Sequence, residues 1–156
     1  MKRVFVSMLV CMLAFVAYAQ GDYNIVSAGQ GKSGHYLVKV TTIVSKGDLK
    51  GGKAEDLLKR YAVHGVMFRG LMASDGYGEQ KPLIKDPNIE QTKADFFTAF
   101  NAEGAYKRYA SVVNSSMTSV KVKKGYEVSA NLLVNKESLV KYLEESGVVK
   151  GFSNLW

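Results

Sequence analysis

Cysteine occurs once in this chain of 156 residues, at Cys11. It stands in an uncharged apolar run, Val4–Val16, that follows the basic pair Lys2–Arg3 and precedes Ala17-Tyr18-Ala19. Basic start, apolar run and small residues together form the pattern of a secretory signal peptide. Cleavage is expected after Ala19, with Gln20 as the first processed residue. Losing residues 1–19 removes the only cysteine, which excludes disulfides, thiolate metal ligands and cysteine nucleophiles from the remainder. Lipidation at Cys11 calls for a small residue before it, and Val10 stands there. The apolar run is shorter than the ~20 residues a bilayer-spanning helix needs. No transmembrane segment is expected once the signal is removed, and the expected location is periplasmic or secreted.

Histidine is almost as scarce. His35 and His64 are the only two, and neither has a second histidine or a carboxylate at metal-ligand spacing. Neither a metal nor a cofactor is expected. Acidic residues are in deficit, with 14 Asp and Glu against 21 Lys and Arg and a net charge of +7. The positive charge is spread along the chain, and its densest cluster is only Lys121, Lys123 and Lys124. A nucleic-acid surface concentrates basic charge and interleaves it with aromatics, so a solvated basic surface is expected and no nucleic-acid partner.

What is plentiful is apolar: 47% of residues, with seven Phe and nine Tyr, enough for one well-packed domain. Gln20–Gly34 carries four glycines and reads as a flexible N-terminal arm, leaving 35–156 as a single domain. His35–Ser45 is rich in β-branched residues and predicts a strand. From Ala54 to Met72, Leu58, Tyr61, Ala62, Gly65, Phe68 and Met72 recur at helical spacing. Ala73–Lys93 holds both prolines and reads as a long irregular loop, of a kind often functional or mobile. A short helix is expected over 93–101 and a further helical stretch over 103–113. A hairpin follows, Thr118–Lys123 against Tyr126–Val134, with its turn at Lys124–Gly125. Asn135 suits the N-cap of a helix over 136–146, Gly147 its left-handed end, and Val148–Phe152 a last strand. The order predicts an α+β fold: helices packed on one antiparallel sheet, in a split β-α-β-like order with a helical insertion.

Motifs with chemistry in them are incomplete. Gly29–Gly34 contains Gly31-Lys32-Ser33, but a phosphate-binding loop needs glycine where Val26 stands and a helix afterwards, where a strand is predicted. Ser138-Leu139-Val140-Lys141 has the Ser-x-x-Lys spacing without its companion motifs. The pairs Glu55–Asp56 and Glu144–Glu145 are adjacent on helices and point apart. No catalytic residue is therefore assigned. The candidate binding residues are Tyr77, central in the long loop, the aromatic stretch ending in Tyr106, Arg108 and Tyr109, and His64.

The segments Ala17–Gln20, Phe96-Phe97-Thr98-Ala99-Phe100, Gly104–Tyr109 and Glu137–Val149 resemble small periplasmic proteins of Gram-negative bacteria. The order strand, helix, hairpin, helix is also similar to the N-terminal domain of the flagellar assembly protein FlgT, although that protein has several domains. The resemblance implies an envelope-associated binding or assembly role and supplies no catalytic residues. Two functional classes follow as expectations: a non-enzymatic module that binds another envelope protein, or a carrier of a lipid, sugar or peptide in an aromatic-lined cavity.

Overall fold

The computed structural model describes residues 21–150. The expected signal peptide, its cleavage point and the last two residues of the expected final strand lie outside them. The first described strand, β1 (Tyr23–Gly29), falls within the segment expected to be a flexible arm. It pairs antiparallel with β2 (His35–Val44), Tyr23 opposite Thr42 and Ser27 opposite Val38. The middle of the expected arm is thus a sheet strand. Its alternation explains why: Tyr23, Ile25 and Ser27 are buried and Asn24 exposed, the period-2 pattern of a half-buried strand.

After β2, a 3-10 turn (Lys46–Leu49) leads to α1 (Lys53–His64). The predicted helix then changes character, because Gly65–Arg69 form a single wider π-helical turn closed by Gly70 N–H donating to the Gly65 carbonyl at 2.8 Å. Two short helices follow, α2 (Ile89–Thr92) and α3 (Ala94–Ala102). The helical stretch expected over 103–113 is a 3-10 turn (Ala105–Arg108) and a short strand, β3 (Ala110–Val112). The hairpin is present as β4 (Thr118–Val122) and β5 (Gly125–Asn135), and α4 (Lys136–Glu145) closes the described chain. Asn135 caps α4 as expected, its side chain accepting from Ser138 N–H at 2.9 Å. Gly147 takes the left-handed conformation, but Val148 and Val149 form no strand.

The five strands form one antiparallel sheet in the order β1-β2-β5-β3, with β4 also pairing with β5. This is the expected α+β fold, with helices on an antiparallel sheet. Val38, Val40, Val128, Leu132 and Val134 face the helices and are buried with Leu58 of α1 and Leu139 and Leu143 of α4. The opposite sheet face is open: Ile43 is 50% exposed and Val120 59%.

The aromatic residues of α3 finish the core. Phe96, Phe97, Phe100, Tyr109 and Tyr142 meet ring to ring, with centroids 5.1 to 6.2 Å apart. Such offset and edge contacts each add a little beyond area burial.

Candidate functional site

Two groups of side chains bring polar atoms to the edge of the apolar core. The first is a hydrogen-bonded chain, Tyr23–His64–Glu90. Tyr23 sits on β1, His64 at the end of α1 and Glu90 on α2, so elements far apart in sequence meet there. The Tyr23 hydroxyl lies 2.6 Å from His64 Nδ1, and His64 Nε2 lies 3.2 Å from Glu90 Oε1. A neutral imidazole with its proton on Nε2 satisfies both contacts, accepting from tyrosine and donating to the carboxylate. Burial lowers the His64 pKa from its ordinary 6.5, against the opposing pull of Glu90. Burial likewise raises the Tyr23 phenol well above its usual range. Arg69 completes the cluster, its guanidinium 4.0 Å above the Tyr23 ring and donating to the Tyr23 carbonyl at 3.1 Å. Tyr61 stacks on Tyr23 at 4.4 Å. Chemically this is a clamp: each polar group is partnered, and the partners come from separate elements.

The second group lines a pocket of about 410 Å³ at the end of the β1–β2 hairpin. It is lined by Ser27, Leu37 and Leu71 together with Gly29, Gly31, Gly76, Tyr77 and Gly78. Tyr36, Gln30 and Gln80 supply the remaining surface, and none of the lining residues is charged. Tyr77 stands on the rim, 40% exposed.

The long loop is held in place. Beyond the π turn, Leu71 and Gln80 exchange two backbone hydrogen bonds, and Ser74 and Tyr77 exchange two more, which makes a small hairpin with Asp75–Gly76 at its tip and Tyr77 next to it. Ser27 N–H of β1 donates to the Met72 carbonyl at 3.0 Å, fastening that hairpin to the sheet edge. Leu83 and Ile84 N–H then donate to the carbonyls of Val66 and Met67, which the helix end leaves without intrahelical partners. Gly70 is required at the pivot, having φ of +73° and lying where a Cβ would strike the Gln80 carbonyl. Gly29 is similarly constrained: a Cβ there would meet the Tyr77 phenol at 3.7 Å and Leu37 at 3.1 Å.

Of the residues singled out in the sequence, Tyr77 lines the pocket and His64 joins the clamp. Tyr106, Arg108 and Tyr109 belong to neither. Tyr106 and Tyr109 are each only 8% exposed and belong to the core, where burial raises the Tyr109 phenol, and Arg108 is exposed on its 3-10 turn. Burial corrects the reading of Tyr106 and Tyr109 as binding residues: both are core aromatics, Tyr109 packing against Phe100 and Tyr142. The pocket beside the long loop is lined by two tyrosines, Tyr36 and Tyr77, together with glycines, two glutamines, two leucines and Ser27. Gln30, Gln80, Tyr23 and Glu90 went unnoticed. Alternation could have revealed Tyr23, but nothing local marks Gln30 and Gln80, which lie fifty residues apart in sequence.

Gly29–Gly34 is a β-hairpin loop followed by a strand, as the reading against a phosphate loop requires. Among the described residues no cluster of three or more His, Cys, Asp or Glu is placed to hold a metal, and no helix is long and apolar enough to cross a membrane. Comparison with protein-family models, with curated proteins and with solved structures finds no match.

Proposed function

We infer that this chain is an exported, non-enzymatic binding module of the cell envelope and that the Tyr77 pocket is where it engages its partner. The observation that carries this reading is the pocket itself. At about 410 Å³ it lies within the ~300–1,000 Å³ span of small-ligand sites. It also combines an exposed aromatic with side-chain amides on a backbone tied down by hydrogen bonds at both ends of the loop. A site held in one geometry loses less ordering entropy on binding. The leader-like residues 1–19 support the envelope location.

The test is crosslinking of the tagged protein in its native envelope, in parallel with a Tyr77→Ala variant. Recovery of a defined envelope component that falls away in the variant supports the reading. Recovery that is identical in both proteins moves the interface elsewhere and overturns the pocket assignment.

A further inference from the structure

We propose that the Tyr77 pocket takes a neutral, polyhydroxylated ligand, a saccharide, an assignment that rests on the pocket being the binding site. Three properties of the lining select this chemistry. The first is charge: none of the lining residues is charged, although 22% of the chain is. A ligand bearing a carboxylate or an ammonium would lose hydration there without gaining a counter-ion.

The second is the kind of hydrogen bonding on offer. Gln30 and Gln80 each present a carbonyl acceptor beside an amide donor. That pair matches vicinal hydroxyls, which both donate and accept. Both glutamines are exposed, so their amides are available at the mouth of the site.

The third is the aromatic surface. Tyr77 offers a partly exposed ring beside the turn of a hairpin fixed by the Ser74–Tyr77 and Leu71–Gln80 bonds. A flat ring with a polar tip suits a ligand that has an apolar C–H face and a hydroxylated edge. A lipid would need a deeper apolar lining than two leucines provide. Lys32, Glu79 and Lys81 flank the lining in sequence but are not part of it.

The test is calorimetric titration of the purified protein at millimolar saccharide, a range suited to a shallow site. The probes are three neutral trisaccharides (triacetylchitotriose, cellotriose and maltotriose), acidic trigalacturonate, and a blocked trialanine peptide. Expected is binding of at least one neutral trisaccharide, weakened by about tenfold or more in Tyr77→Ala and kept in Tyr77→Phe. Thermal midpoints of both variants should match the parent, because Tyr77 lies on the surface. Gln80→Ala provides a second exposed site for the same comparison.

Binding of trigalacturonate alone would overturn the proposal and assign recognition to the flanking lysines. Binding of the peptide alone would overturn it while leaving a binding module. Neutral binding that Tyr77→Ala and Gln80→Ala leave undiminished would also overturn it. If no probe binds yet the envelope crosslink still depends on Tyr77, the saccharide assignment falls alone. If the crosslink is independent of Tyr77 as well, the pocket reading falls with it.

Discussion

The most constrained single residue is His64, because its two ring nitrogens hold Tyr23 and Glu90 at once. Tyr23→Phe removes the hydroxyl while leaving a buried imidazole nitrogen without its donor. The expected cost is about 1–3 kcal/mol, read as a lower urea midpoint. His64 also sets a pH dependence. Its folded pKa is depressed below 6.5 by burial, so above 6.5 it is neutral both folded and unfolded and its contribution is complete. As pH falls below 6.5 the unfolded chain takes up the proton first, and stability declines until the folded pKa is passed. Glu90, Arg60 and Arg69 act on the imidazole, the carboxylate favouring its protonation and the two guanidiniums opposing it. Urea unfolding between about pH 7.5 and about pH 5 should show this decline, flattened in His64→Gln. A decline of equal size in the variant would assign the effect to other groups.

At the scale of elements, ends and joints matter more than helix interiors. The Asn135 cap serves α4, whose first turn would otherwise leave the Ser138 amide unpaired. Asn135→Ala is expected to cost about 1 kcal/mol in chemical denaturation. The joint after α1 is tighter. Gly65 lies where a Cβ would come within 2.6 Å of Ile25 Cδ1, and Gly70 holds a backbone conformation that side chains rarely adopt. Gly70→Ala should therefore destabilise by more than about 1 kcal/mol, through positive φ and through the clash with the Gln80 carbonyl. Because Gln80 lines the pocket, the same variant should also weaken any ligand that Tyr77→Ala weakens. Periodicity predicted one long helix from Ala54 to Met72, since Phe68 and Met72 continue the apolar spacing. The wider turn at Gly65–Arg69 ends the helix early, and Leu83 and Ile84 then satisfy its Val66 and Met67 carbonyls, a pairing that no local pattern announces.

For the whole molecule, β1 decides whether the sheet has a finished edge. A chain beginning at Ser33 would lack it, leaving the buried β2 residues Val38, Val40 and Thr42 without their cross-strand neighbours Ser27, Ile25 and Tyr23. It would lose the Tyr23 end of the clamp and the Ser27 bond to Met72 as well. Such a chain should fail to unfold cooperatively on heating, followed by circular dichroism, whereas removal of a flexible arm would leave the transition unchanged. By itself the sequence determined the α+β class, the β4–β5 hairpin, and α4 with its cap and left-handed end. Those features rest on local periodicity, turn chemistry and capping, which act between residues a few positions apart. Only the tertiary structure decided that the glycine-rich segment is a strand, because a strand is stabilised by its neighbour and β1 has β2. It also decided that Tyr106 and Tyr109 are core, and that Gln30 and Gln80 share a pocket with Tyr77. Burial and cavities arise where distant segments meet, and the side chains lining them carry no mark of that meeting in their own neighbourhood.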